Sequence, residues 1–162
     1  MQLTPTLYRQ WALQGHQPLI PCPVGTHQKF HLFGALNAVS GKMHYRKAST
    51  INARHFRTFL KQLLNAYPRE IVVVILDGAV WHRAKLLKPF LLITPRLLLF
   101  FLPPYSPDLN PIELFWKGLR KEVTHNHCYQ CLTQMKSALN LFFQRKRTRK
   151  AMTKNVQLCK IC

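Results

Sequence analysis

Ile71-Val72-Val73-Val74-Ile75-Leu76-Asp77-Gly78-Ala79-Val80-Trp81-His82 is the stretch that decides the fold class. Its first six residues are apolar and mostly β-branched, with no polar residue alternating among them. A strand of that kind is covered on both faces, as in sheets packed between helices. Asp77 stands at its carboxyl end, where open α/β sheets place their sites. Upstream, Phe56, Phe59, Leu60, Leu63 and Leu64 recur at three and four, one face of a helix that Tyr67-Pro68 ends and that Thr50 or Asn52 can cap. Before it, His31 to Val39 reads as a buried strand, Ser40-Gly41-Lys42 as a turn and Met43 to Arg46 as the second arm of a hairpin. Residues 1–29 read as irregular or extended.

Downstream, a short helix around 81–92 leads to a second apolar strand, Leu97 to Leu102. A proline-rich loop follows, then Asn110 as cap and Pro111 as first residue of a helix carrying Ile112, Glu113, Phe115, Trp116 and Leu119. A last helix covers about 132–143. The basic run Arg145 to Lys150 opens a tail, 146–162, expected to be loose. Hairpin, helix, strand, helix, strand, helix, helix is an α/β layout with a mixed sheet, contained in one domain over 1–145.

Charge narrows the partners. The 162 residues carry 24 Lys+Arg against 5 Asp+Glu, a formal net charge of +19. Such an excess in a chain that is 48% apolar points to a polyanion, most simply the phosphates of nucleic acid. No basic start followed by an apolar run marks a secretory signal. The greasiest stretch, Leu86 to Leu102, is broken by Lys88, Pro89, Pro95 and Arg96, too often for a membrane span. The expected location is the cytoplasm. Five cysteines argue against a disulfide framework. Cys128-x-x-Cys131 and Cys159-x-x-Cys162 lie further apart than the pairs of a zinc ribbon, so free thiols are expected.

The few acids carry the chemical information: Glu70, Asp77, Asp108, Glu113 and Glu122. Asp77 on a strand tip and Glu113 in the first turn of a helix can converge on a hard cation, which takes few protein carboxylates and keeps positions for water and phosphate. Two such ions about 3.5–4 Å apart activate a nucleophile and stabilise the leaving oxygen. Spacing alone leaves a second reading open, Asp77 as a strand-end turn residue and Glu113 as a helix-dipole partner. Asp108 reads as an Asx-turn residue, Glu122 as a solvated charge, and Glu70 falls at the wrong end of its strand. Lys117, Arg120 and Lys121 either reach a DNA backbone or form a solvated basic face. Phe56, Phe59, Phe142 and Phe143 fall at helical spacing and read as core.

Two elements carry a resemblance. Leu76-Asp77-Gly78-Ala79-Val80-Trp81-His82 and Pro103-Pro104-Tyr105-Ser106-Pro107-Asp108-Leu109-Asn110-Pro111-Ile112-Glu113-Leu114-Phe115-Trp116 closely resemble the DDE transposases of bacterial insertion sequences, in the branch allied to the mariner-type superfamily. Trp11-Ala12-x-x-Gly15 and Phe33-Gly34-Ala35-Leu36-Asn37 with Gly41 extend the likeness to roughly residues 3–145. The resemblance implies an RNase H-like mixed sheet flanked by helices, and cutting and joining of DNA with two Mg²⁺ or Mn²⁺ ions. It makes Asp77 and Glu113 the second and third catalytic carboxylates and metal ligands. His82, Asn110 and Trp116 fall on supporting motif positions. Gly78 stands where the family commonly has Asn. The family's first catalytic Asp would lie before Leu3, on a first strand expected to be largely missing here, and no acid precedes Glu70. The resemblance therefore implies a polypeptide inactive alone. It is then either a non-catalytic DNA-binding remnant or the partner of a separately encoded N-terminal half; relatives act as dimers or larger complexes on DNA.

Overall fold

Residues His31–Leu36 (β1) and Met43–Ala48 (β2) pair antiparallel, His31 opposite Ala48 and Leu36 opposite Met43. The turn between them is built by Asn37, whose Oδ1 accepts the N–H groups of Val39 and Ser40, both at 2.9 Å. Gly41 closes it at φ 65°, a left-handed conformation that a Cβ would strain. The computed structural model describes residues 1, 6–20, 28–103, 110–148 and 159–161. Asp108 of the proline-rich loop lies outside them.

Helix α1, Ala53–Ala66, starts at Asn52, whose side chain accepts the His55 N–H at 2.9 Å. Asn52 rather than Thr50 is thus the cap, and Thr50 Oγ1 accepts from the Asn52 amide at 3.0 Å. At the other end Arg96 does what no residue of the helix does. Its guanidinium donates to the carbonyls of Tyr67 (2.6 Å), Leu64 (3.0 Å) and Glu70 (3.3 Å), satisfying acceptors that a helix end leaves orphaned. Its own carbonyl accepts the Val72 N–H at 2.8 Å, where β3 (Val72–Leu76) begins. Arg96→Met is expected to cost about 1–3 kcal/mol in urea denaturation, because charge-assisted bonds are lost and two part-buried carbonyls lose their donor.

The helix expected around 81–92 is instead two 3₁₀ turns, Val80–Arg83 and Lys85–Leu87, then a short α2, Lys88–Leu92. Ala84 between the turns is extended at ψ 138°, and Pro89 fits only a first helical turn. β4, Leu97–Phe101, runs parallel to β3 in register from Val72–Leu97 to Leu76–Phe101. It is an edge strand, which leaves Leu98 and Phe100 exposed.

The sheet order is β2-β1-β5-β3-β4, where β5 is Cys159–Ile161. This three-residue strand, for which the sequence shows no strand signal, takes the central place. It pairs antiparallel with β1 at Ala35 and Leu36, and parallel with β3 at Val74, Ile75 and Leu76. Alternate β3 residues Val72, Val74 and Leu76 join Phe33, Ala35, Phe56, Phe59, Leu60, Leu63 and Leu87 in one core cluster. Phe33 lies 6.0 and 6.3 Å from the rings of Phe59 and Phe56. Phe56 is wholly buried, as is Phe59, and its ring also contacts that of His82. Truncation of Phe56 to Ala is expected to cost about 3–5 kcal/mol in thermal or denaturant unfolding, through the lost transfer energy and the cavity left behind.

Those elements, His31–Glu113 with β5, form one compact unit; Met1–Phe30 and Leu114–Thr148 form a second. Helix α3, Ile112–Leu119, crosses the boundary and continues as a π-helical turn, Arg120–Thr124. Helix α4, Leu132–Thr148, then packs Phe142 and Phe143 against Phe115 at ring distances of 5.5 and 5.8 Å. The N-terminal segment is tied in by Asn126, at φ 55°, whose amide exchanges bonds of 2.8 and 2.9 Å with the backbone of Tyr8. Tyr8 stacks on His125 at 4.6 Å. Among the described residues no helix is long and apolar enough to cross a membrane.

Candidate active site

The chain leaves β3 at the fully buried Leu76, and the next six residues fold back on themselves. Asp77 Oδ1 accepts the Ala79 N–H at 3.1 Å, an Asx turn. The His82 N–H donates to the Ala79 carbonyl at 3.0 Å in the following 3₁₀ turn. That turn carries the imidazole back, so that His82 Nδ1 lies 2.9 Å from Asp77 Oδ1 and 3.4 Å from the Asp77 carbonyl. The spacing Asp-x-Ala-x-x-His is therefore a closed loop of contacts. Gly78 is not sterically required within it: a Cβ there would meet nothing within 4 Å. A Cβ is therefore accommodated at this position.

His82 is held on all sides. It is 2% exposed, its ring 4.4 Å from Phe56 and 5.8 Å edge-on from Trp81, and Nε2 is buried with no hydrogen-bond partner. Burial pushes its pKa below the ordinary histidine value, outweighing the Asp77 carboxylate that pulls it up. The imidazole is thus neutral near pH 7, with its one proton on Nδ1, since a proton on Nε2 would be buried without an acceptor. The contact with Asp77 is a hydrogen bond from a neutral donor rather than an ion pair. One oxygen of Asp77 is fixed by two donors, and half of its side-chain surface is open to solvent.

A pH dependence follows. The depressed folded pKa means that protons bind the unfolded chain first as pH falls below the ordinary value of 6.5. Stability is then full above that pH and declines below it, until His82 itself protonates. Burial and Lys42 lower the pKa of His44 in the same direction, so the His82 share is obtained by difference. His82→Asn, which keeps a donor near Asp77 and does not titrate, is expected to flatten the fall in unfolding free energy between pH 6.5 and 5.

Glu113 lies in the first turn of α3, half-buried, in the same compact unit as Asp77. Its N–H donates to the carbonyl of Asn110 at 3.0 Å, and Asn110 is itself 5% exposed. The fully buried Ile112 anchors this turn. Lys117, Arg120 and Lys121 belong to the other unit. All three are exposed along the end of α3 and the π turn, above the buried Leu119 and Val123. Trp116 is half-buried, edge-on to Phe115 at 5.7 Å, a packing role. Cys128 and Cys131 are reduced thiols, while Cys162 lies outside the described residues. Among the described residues no group of three or more His, Cys, Asp or Glu side chains gathers in a metal-binding cluster. The structure thus brings Asp77 and His82 together directly. Trp81, beside His82, and Arg96 were not singled out for a role by their sequence pattern.

The family model described as DDE superfamily endonuclease matches residues 1–136. The chain is 27% identical over 145 residues to the insertion element IS630 uncharacterized 39 kDa protein of Shigella sonnei, covering 89% of this chain and 42% of that protein. It is 40% identical over 58 residues to the uncharacterized protein y4pE/y4sA of Sinorhizobium fredii (strain NBRC 101917 / NGR234), over 36% of this chain and 40% of the relative. The chain thus spans less than half the length of either. Among solved structures, the Mos1 transposase paired-end complex with left transposon end superposes with a TM-score of 0.65 at 18% identity, covering 89% of this chain and 45% of that one. The Mos1 strand transfer complex gives 0.64 at 19%, over 88% and 43%. With the Asp77–His82 loop at the end of β3, a mixed sheet and a family match over most of its length, the chain belongs to the DDE superfamily endonucleases and has their RNase H-like fold.

Proposed function

We propose that this domain serves DNA transposition by metal-dependent cleavage of DNA strands at the ends of an insertion sequence and joining of the freed 3′-hydroxyl to a target. The observation that carries the reading is Asp77. It is a half-exposed carboxylate at the end of a buried strand, with Oδ1 fixed by a buried histidine. Asp77 and Glu113 would hold Mg²⁺ or Mn²⁺. The donor set fits: both are hard oxygen ligands, and these ions use one or two protein carboxylates and complete their shell with water and phosphate. When bound, such ions supply Lewis acidity and a deprotonated nucleophile at neutral pH. The chain's own residues do the positioning. His82 fixes one oxygen of Asp77, and the buried Ile112 and Asn110 fix the turn that presents Glu113. Such supports of a metal ligand are worth about 10–100-fold in affinity or activity.

Lys117, Arg120 and Lys121 hold the DNA backbone in this reading. Each contact neutralises a phosphate and releases counterions, so Lys117→Ala, Arg120→Ala and Lys121→Ala are each expected to make log Kd against log[salt] shallower by about 1. Fluorescence anisotropy with duplex DNA across a salt series measures this. In this reading the protein works in the cytoplasm, as a dimer on DNA or with an N-terminal half supplied separately.

The stretch before Glu70 carries no Asp or Glu, so it holds no counterpart of the carboxylate expected to bridge two ions. In plasmid nicking with Mn²⁺, this polypeptide is expected to be inactive or nearly so, and a form extended upstream to restore a first-strand Asp to nick. Strong nicking by the unextended chain, abolished by Asp77→Ala, contradicts the inactivity. If neither form nicks yet both bind duplex DNA, the second reading stands, a non-catalytic DNA-binding remnant.

A further inference from the structure

β5 is short for the place it holds. A strand at the centre of a sheet covered on both faces reads as a continuous apolar run. This one is three residues long, with a lysine in the middle of its sequence. It stands between strands of six and five residues, and its ladders reach Ala35 and Leu36 of β1 and Val74, Ile75 and Leu76 of β3. Among the described residues, His31 to Phe33 lie outside the ladder with β1. A second pair of hydrogen bonds follows the same slot. The Phe30 N–H donates to the Met1 carbonyl at 2.9 Å, and the Met1 ammonium donates to the Phe30 carbonyl at 2.7 Å. Opposite residues of an antiparallel ladder make this reciprocal exchange. Phe30 directly precedes β1, and Asn37, just past the other end, gives its N–H to Lys42 on the β2 side at 2.9 Å. Neighbouring residues of a strand turn their backbone groups to opposite sides. Leu36, Gly34, Leu32 and, one step further back, Phe30 therefore turn theirs to the side that β5 takes.

A chain continued upstream from Met1 in this register stands opposite His31, Leu32 and onward to Leu36, antiparallel to β1. Opposite Ala35 and Leu36 it meets the positions that Ile161 and Lys160 hold, and it runs in the same direction as β5. Two segments cannot share that place. Resting on the reading that a longer form of the protein carries a first strand before Leu3, we infer that β5 is a stand-in, expelled when the segment directly upstream of Met1 enters the slot between β1 and β3. That segment can pair along the whole of β1, which β5 is too short to do. It is also joined to Met1, so the loop it closes to reach the slot is short and the entropic cost small. A strand entering there runs parallel to β3, toward the end where Asp77 stands. The tail is thus a lock on the sheet. While Cys159–Ile161 is seated, a carboxylate borne by the incoming strand is kept away from Asp77.

The test compares this chain with the form extended upstream to restore a first-strand Asp, each with and without Lys160→Pro. Backbone amide exchange is measured on the unsubstituted proteins and needs no variant to fold. In the extended form the Lys160 and Ile161 amides are expected to exchange at least about tenfold faster than in this chain, and that of Leu32 at least about tenfold slower. Lys160→Pro is expected to lower the urea midpoint of this chain and to leave that of the extended form unchanged. An equal loss of midpoint in both forms overturns the exchange of strands, as does equal protection of Lys160 in both. So does an extended form that fails to fold, or a midpoint unmoved in either form, since β5 then holds nothing. The cleavage reading fails separately. Release of β5 in an extended form that binds DNA but does not nick it leaves the exchange standing alone. Nicking by an extended form that keeps β5 in the sheet removes only the exchange.

Discussion

Asp77→Asn is expected to abolish Mn²⁺-dependent strand cleavage, by a factor of roughly 10³ or more, in any form of the protein complete enough to cleave. Loss of one carboxylate from a two-ion site removes several kcal/mol of transition-state charge stabilisation, and each 1.36 kcal/mol is about tenfold in rate. The substitution separates chemistry from folding. Asn keeps an Oδ1 that can accept from the Ala79 N–H and from His82 Nδ1, so the loop after β3 retains its hydrogen bonds. Circular dichroism and the urea midpoint should therefore stay near wild type while activity is lost. A variant that still cleaves within tenfold of wild type would remove Asp77 from the chemistry. His82→Ala should fall between the two, about 10–100-fold, because it loosens the carboxylate without removing it.

Lys160→Pro is the second large effect, and it falls on the fold. β5 is the centre of the sheet, bonded to β1 on one side and β3 on the other, and Lys160 stands opposite both Leu36 and Ile75. Proline has no N–H to give a ladder and is tolerated only at sheet edges and bulges. The loss spreads beyond one bond, since β5 is only three residues long and cannot shift register without abandoning a neighbour. If β5 is displaced, the backbone groups of β1 and β3 that it pairs lose their partners, each at about 1–3 kcal/mol where buried. A destabilisation of about 3–5 kcal/mol is expected in urea, together with faster amide exchange in β1 and β3 and little change in α4. An unchanged midpoint would mean that β5 contributes nothing to the sheet.

What the sequence makes legible follows from where the forces are local. The strand ending in Asp77 shows itself because a strand covered on both faces must be a continuous apolar run, and α1 because one of its faces is buried. The hairpin shows in Ser40-Gly41-Lys42, since Gly41 takes a positive φ. β5 is invisible by the same logic. Cys159-Lys160-Ile161 has no run and no alternation, and its place comes from backbone groups that β1 and β3 offer. Arg96 reads in sequence only as a break in an apolar stretch, because the carbonyls it serves belong to α1 and the turn after it. The 3₁₀ turns over 80–87 break a helical pattern through Ala84 and Pro89, a backbone matter that apolar spacing does not carry. At the candidate site, the motif puts forward Asp77, Glu113 and His82, but the lowered pKa of His82 depends on its burial, which only the packed structure supplies.

Whether Asp77 and Glu113 hold a divalent cation against DNA is tested most directly by a Mn²⁺ titration of the DNA-bound chain. Electron paramagnetic resonance would follow it for wild type, Asp77→Asn and Glu113→Gln. Wild type is expected to bind Mn²⁺, and each variant to bind it at least about tenfold more weakly, with duplex affinity unchanged. Equal Mn²⁺ affinity in all three proteins would contradict a metal site built on these two carboxylates.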